Sequence, residues 1–318
     1  ITTHTHSSRP YIPIHFANLY TFYVERIIRD VIIAKMAAAC CVAANVKAVF
    51  LVLLSAFAAQ GSSRGPCDPL TPEYCQLPWP NSFFTRPDAA AATGLRVNMS
   101  QETWPRDSTG RGVDPVEWNT MDGFSPFPSI MTYFPGLSDS GLPHHWDMET
   151  SLDITSPTII MDFDSGEVLP HFAELDSALG LKNRTLMIWP NVRLESNHHY
   201  IVGLRHLVNT TGLLVEPSPA FLALRDNITT NDSDVEYRRS LFEEMFIKLQ
   251  AAGVERKSLQ LVWDFTTASE KCLTERILFM REDAFARVGP GGPSYLFYQT
   301  EDNYSQHIFR FFRVQQTH

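Results

Sequence analysis

Apolar positions return every three or four residues along Tyr237, Leu241, Phe242, Met245, Phe246 and Leu249, which places them on one helical face. Ser233-x-x-Glu236 reads as the capping box that opens this helix, and Gly253 as the residue that closes it. The same period recurs in Leu273, Ile277, Leu278, Ala284, Phe285 and Val288, between a second capping box, Thr267-x-x-Glu270, and Gly289. Between the two lies Ser258-Leu-Gln-Leu-Val-Trp-Asp-Phe-Thr, which alternates as a strand. Residues 231–290 are therefore expected to form a helix-strand-helix unit.

Upstream the period shortens. Pro157-Thr-Ile-Ile-Met-Asp-Phe, Glu167-Val-Leu-Pro-His-Phe, Thr185-Leu-Met-Ile-Trp, Tyr200-Ile-Val-Gly-Leu-Arg-His-Leu and Phe221-Leu-Ala-Leu read as short strands. Asp164-Ser165-Gly166, Ser196-Asn197-His198 and Asn209-Thr-Thr-Gly212 read as the turns between them. Residues 151–230 are thus expected to be a small β-sandwich. Residues 62–150 are dense in Pro and Gly, which interrupt long helices and central strands. They also carry Trp79, Phe83, Phe84, Trp104, Trp118 and Trp146, too many aromatics for a disordered tail. An irregular arm packed over another layer is expected. The whole reads as α+β, mainly β with two helices, and residues 291–318 read as the start of a truncated next segment.

The chain begins Ile1-Thr2-Thr3 and its first Met is Met36. Residues 1–35 show no clean period and no caps, and are expected to be a non-coding or unstructured leader. From Met36 to Gly61 come one cation, Lys47, an apolar run from Ala48 to Ala59, and small residues. That is the pattern of a secretory signal peptide at 36–61. A twelve-residue helix rises only about 18 Å, short of a ~30 Å hydrocarbon core, so no stable span is expected after cleavage.

Composition and charge narrow the partners. The chain is 44% hydrophobic, 12% aromatic and 19% charged, as in a globular protein. Residues 66–318 hold twenty Lys/Arg against thirty-three Asp/Glu, a balance of −13. A body this acidic offers no basic stripe to a phosphate backbone, so nucleic acid is excluded as an expected partner. Sequons at Asn98, Asn183, Asn209, Asn227, Asn231 and Asn303 exceed the ~1.5 that ten Asn would give by chance. They point to an extracellular glycoprotein. In an oxidising compartment Cys67 and Cys75 are expected to pair, contributing about 2–3 kcal/mol by loop entropy. Cys272 is then odd, either a buried free thiol or one whose partner lies elsewhere.

The chemical motifs are weak. Gly136-Leu-Ser138-Asp-Ser140-Gly141 lacks the spacing of a nucleophile elbow and reads as a loop. Asp162-Phe-Asp164-Ser-Gly-Glu167 lacks the later ligands of a calcium loop and reads as a hairpin turn. His144-His145-Trp-Asp147 and His198-His199 could ligate a metal, but adjacent strand residues point to opposite faces. A pocket gathering Asp122, His144, Asp147 and His171 would support a complete small enzyme. No catalytic residue, metal site or cofactor is assigned.

Two resemblances extend this reading. Pro190-Asn-Val-Arg-Leu-Glu-Ser-Asn-His-His-Tyr-Ile-Val-Gly-Leu, with Asn209-Thr-Thr-Gly-Leu-Leu-Val, is similar to the closing hairpins of bacterial Ig-like domains. Asn197 stands where that pattern has Gly, a replacement a left-handed turn permits. Cys75-Gln-Leu-Pro-Trp-Pro, Asp122-Gly-Phe-Ser-Pro, Pro170-His-Phe-Ala-Glu-Leu-Asp, Ala220-Phe-Leu-Ala-Leu-Arg-Asp and Trp263-Asp-Phe-Thr-Thr-Ala-Ser resemble the N-terminal half of large secreted α/β-hydrolase-like (esterase- or lipase-like) proteins. That resemblance implies a non-catalytic N-terminal portion, with the catalytic triad in a C-terminal domain beyond residue 318 as its partner. The alternative is an extracellular binding or adhesion module whose exposed aromatics contact a glycan or protein.

Overall fold

Antiparallel pairing organises the computed structural model, which describes residues 65–177, 180, 183–289 and 292. The expected leader and signal peptide, Asn303 and the segment from 293 on lie outside the described residues. Eight strands run in chain order: β1 (Thr85–Pro87), β2 (Leu95–Val97), β3 (Ile130–Tyr133), β4 (Thr158–Asp162), β5 (His171–Leu175), β6 (Thr185–Pro190), β7 (His199–Arg205) and β8 (Leu259–Thr266). They form three antiparallel sheets, β1-β2, β3-β6-β5 and β4-β7-β8, none closed into a barrel. Three α-helices accompany them, α1 (Pro219–Arg225), α2 (Ser233–Ala251) and α3 (Glu270–Val288). No helix among the described residues is long and apolar enough to cross a membrane.

The sheet β4-β7-β8 is covered on both faces, and all of β4 and β8 is buried. Gly203 lies opposite Ile159 and Val262. A Cβ built on Gly203 would sit 3.6 Å from Leu249 of α2, so this face lies under that helix. The other face carries Ile160, Val202 and Trp263, and Trp263 Nε1–H donates to Pro80 O at 2.8 Å. β4 turns back through Asp162–Gly166, with Asp162 N–H donating to Glu167 O at 2.9 Å and Leu169 N–H to Ile160 O at 2.8 Å. After Pro170 the chain leaves this sheet and becomes β5 of the other. Thr158 of β4 and His171 of β5 hydrogen-bond where the two sheets meet.

The helices correct the sequence expectation in four places. Phe221-Leu-Ala-Leu, expected as a strand, lies in α1, so the chain has three helices among the described residues and not two. Ser218 accepts from Phe221 N–H and Pro219 takes the first helical position, where its missing N–H costs nothing. The cap of α2 is Asp232 rather than Ser233, and its carboxylate accepts from Asp234 and Val235 N–H. Glu236 instead accepts from Thr230 N–H at 2.8 Å. The cap of α3 is Ser269 rather than Thr267; Ser269 Oγ accepts from Cys272 N–H, while Thr267 Oγ1 donates to Glu195 O. On α2, Phe242, Met245, Phe246 and Leu249 are buried as the period requires, but Tyr237 is exposed and Val235 and Arg238 take inward places.

The Cys67–Cys75 disulfide is present, as expected. Inside its loop Asp68 is fully buried, and its carboxylate accepts from Arg238 Nη1 and Nη2 at 2.9 and 2.7 Å. It also accepts from Asn81 Nδ2 at 2.7 Å and Leu70 N–H at 3.0 Å. The Arg238 guanidinium lies over the Phe83 and Phe242 rings, 5.0 and 5.5 Å from their centroids. The Asp68–Arg238 pair thus fastens the N-terminal segment to α2. Arg238→Met strands a buried carboxylate and is expected to cost about 3–5 kcal/mol in urea unfolding. The double variant Asp68→Leu/Arg238→Met, which removes both charges, is expected to lose less than Arg238→Met alone.

His171 is fully buried between the sheets. Its Nδ1–H donates to Leu169 O at 2.8 Å, so its Nε2 accepts from the Thr158 hydroxyl at 2.8 Å. Burial pushes this imidazole down to about 4, against the upward pull of the Leu169 and Thr158 backbone carbonyls. The unfolded chain then takes up a proton near pH 6.5 that the folded chain refuses until about pH 4. The contribution is complete above pH 6.5 and is lost as pH falls through that window, by about 3 kcal/mol in all. Urea unfolding of His171→Gln is expected to vary less between pH 7 and pH 4.5 than that of the native chain.

Candidate functional site

Asn197 stands at the start of β7 with φ 61°, the left-handed conformation expected of it, and its N–H donates to Ala268 O at 3.1 Å. The turn delivers His198 and His199 to opposite sides of the strand edge. His198 Nδ1 lies 3.1 Å from Asp162 Oδ2 on β4. His199 Nε2 donates to Asp264 Oδ2 on β8 at 2.8 Å. Each histidine therefore has its own carboxylate, and the pair does not converge on a shared ion.

His199 and Asp264 line an open cleft of about 600 Å³ between the sheet edge, the Ser82–Thr85 turn and α2. The His199–Asp264 bond fixes one ring tautomer and leaves Nδ1 as an acceptor. The ring stacks on Phe163, 4.2 Å between centroids and 20° between planes. Lys248 Nζ lies 4.6 Å from the Phe163 centroid. Among the described residues no serine, threonine or cysteine hydrogen-bonds to His199 other than through the strand ladder. The cleft can therefore offer an oriented imidazole and a buried carboxylate to a ligand, with Phe83 and Tyr237 also in its lining.

Asp162 belongs to the hairpin turn and not to a cation loop. Its Oδ1 accepts from Asp164 N–H, Ser165 N–H and Ser165 Oγ at 3.0, 2.8 and 2.9 Å. Burial pushes this carboxyl up, but the Ser165 N–H, the His198 ring and the Ser165 hydroxyl together hold it below the ordinary carboxylate range. Among the described residues no group of three or more His, Cys, Asp or Glu is arranged to hold a metal ion.

The other candidates go to separate places. Ser138 and Ser140 shape a turn, with Ser138 N–H on Val208 O at 2.9 Å and Ser140 N–H on Ser138 Oγ at 3.2 Å. Asp122 accepts from Ser269 N–H and Oγ at 3.0 and 2.6 Å, holding the start of α3. His171 is in the core, and His144 stacks on Trp146, 4.5 Å between centroids. Asp147 is exposed. Asp147 shares a turn with His144, its N–H donating to His144 O at 3.0 Å, while Asp122 and His171 are engaged elsewhere. Cys272 carries a free thiol in a second hollow beside Asp122, and its Sγ lies 3.8 Å from Met121 Sδ. Burial pushes the Cys272 thiol up, away from the reactive thiolate. Asn98, Asn183, Asn227 and Asn231 are exposed and Asn209 is half-buried, so five of the six sequons lie among the described residues.

Asp264 and Arg238 escaped the sequence reading. Asp264 is the lone acid within Trp263-Asp264-Phe265, and a charge inside a fully buried strand was the available signal. A scan against protein-family models finds no match, and a search of curated proteins finds none.

Because the Asp162 oxygens are already engaged by their own turn, millimolar calcium is expected to leave the thermal midpoint unchanged within about 1 °C. Differential scanning calorimetry with and without calcium checks this, since a bound cation would raise the midpoint by mass action.

Proposed function

We propose that residues 65–289 are the non-catalytic, β-rich portion of a secreted glycoprotein related to α/β-hydrolase-like (esterase- or lipase-like) proteins. We also propose that this portion supports a hydrolase domain of the same chain. The observation that carries the reading is α3. It runs nineteen residues, and none of its side chains is buried. Ile277, Leu278, Phe279, Met280, Phe285 and Val288 are all exposed, Phe279 to 70%. Exposed apolar side chains in this number on one helix mark an interaction surface. The apolar period of this helix is what the sequence predicts, and its cover is what the described residues do not supply.

Two further features support secretion. The Cys67–Cys75 disulfide is of the kind that persists in oxidising compartments. The exposed sequons leave room for glycans. Two three-stranded antiparallel sheets, joined where the chain crosses at Pro170, support an Ig-like sandwich for 151–230, to which β3 and β8 each add a strand.

The reading is tested by expressing the complete transcript in a secretory host and labelling the product with a fluorophosphonate, which reacts with activated serines. The label is expected on a serine outside 65–289, on a protein recovered from the medium and reduced in mass by N-glycosidase. A label inside 65–289, or a product that takes no label, overturns the proposal.

A further inference from the structure

The outer face of the sheet β3-β6-β5 carries side chains that neither the core nor the cleft uses. Along β5 and β6 alternate positions turn inward, where Ala173, Leu186 and Ile188 are buried. Phe172, Glu174 and Trp189 occupy the other alternation. Phe172 and Trp189 are directly opposed, with rings 6.3 Å apart and 21° between planes. Trp189 Nε1–H donates to Glu174 Oε1 at 3.0 Å, which orients the indole.

The segment 144–147 extends this row. His145 stands edge-on to Phe172 at 6.1 Å. Trp146 packs against His145 at 4.6 Å and lies parallel to His144 at 4.5 Å and 18°. Trp146 is nonetheless 71% exposed, the most exposed of the large hydrophobics in the described residues. Its ring is held in place by two imidazoles and meets water over most of its surface.

The row alternates aromatic planes with polar groups, and this selects the ligand. A pyranose has C–H-rich faces that lie on aromatic rings and a rim of hydroxyls that need hydrogen-bond partners. Imidazole nitrogens and a carboxylate oxygen supply those partners. A purely apolar ligand would desolvate His145 and Glu174 without replacing their bonds. Charge selects further. Asp147, Glu149 and Glu174 are exposed here, on a body whose balance is −13 from twenty Lys/Arg and thirty-three Asp/Glu in residues 66–318. Anionic sugars and anionic lipid are repelled, while neutral hydroxyls find acceptors.

We propose that Trp146, Phe172 and Trp189, with His145 and Glu174, form a binding strip for a neutral oligosaccharide. The site is separate from any hydrolase reading, and a failed fluorophosphonate label leaves it standing. The full chain is titrated with cellohexaose, laminarihexaose, xylohexaose and mannohexaose, followed by calorimetry and tryptophan fluorescence. At least one hexasaccharide is expected to bind and to change the fluorescence. Trp146→Ala is expected to weaken that binding about tenfold, Trp146→Phe much less, and Glu174→Gln about threefold. Trp118→Ala, which removes a half-exposed indole packed on Trp104, is expected to leave the affinity unchanged. An unaltered thermal midpoint in Trp146→Ala separates a lost contact from a lost fold; should that midpoint fall, the Trp146→Phe and Glu174→Gln affinities decide. Absence of binding by all four sugars at about 10 mM overturns the proposal, as does native affinity in Trp146→Ala with an intact fold. Trp146-dependent sedimentation with phosphatidylcholine vesicles, without saccharide binding, assigns the strip to a lipid surface and overturns it too.

Discussion

The carboxylate of Asp68 is the constraint on which the rest of the packing depends. It is shut off from water, and four hydrogen bonds reach it from three parts of the chain. The disulfide loop supplies Asp68 and Leu70, the turn before β1 supplies Asn81, and α2 supplies Arg238. Desolvating two charges is costly, and such a pair adds little net stability over an apolar replacement. What it does is forbid alternatives: any other seating of the N-terminal segment leaves a buried charge unmatched. The aromatic turn then has one place to go. Phe83 lies against the guanidinium, and Pro80 O meets the Trp263 indole.

Periodic stretches were legible and isolated polar contacts were not. The strands β6, β7 and β8 and the helix α2 follow from apolar spacing, because burial acts on many residues at once; α3 follows from the same spacing although none of its side chains is buried. Phe221-Leu-Ala-Leu was too short to separate the two periods, and the Ser218-Pro219 start signal outweighed its strand-like look. The caps moved because Asp232 and Ser269 compete with nearby hydroxyls for the same N–H groups, and local geometry decides between them. The turn at Asn197 was legible from its residue type, whereas the carboxylates that meet His198 and His199 come from β4 and β8. Asp68 and Arg238 lie 170 residues apart, and no spacing rule connects them. For α3 the sequence states amphipathicity but cannot state what covers the apolar side.

The two sheets divide the chemistry. In β4-β7-β8 both faces are packed, so functional groups can emerge only at the strand ends, where His199 and Asp264 open onto the cleft. In β3-β6-β5 one face is partly exposed along β5 and β6, so alternate residues of those two strands become surface. A cleft holds a ligand by enclosing it. A strip holds one by repetition, ring after ring along an extended polymer. Rigid strands position Phe172 and Trp189 of the strip and His199 and Asp264 of the cleft, which keeps their spacing and orientation fixed.

The separation of Asp68 from its arginine has a further consequence during synthesis. Asp68 leaves the ribosome 170 residues ahead of Arg238. At ordinary elongation rates that is a delay of roughly 10–30 s. Until α2 emerges, the nascent N-terminal segment has no counter-charge to fold against, and its carboxylate stays hydrated. The disulfide loop is therefore made well before the arginine that seats it.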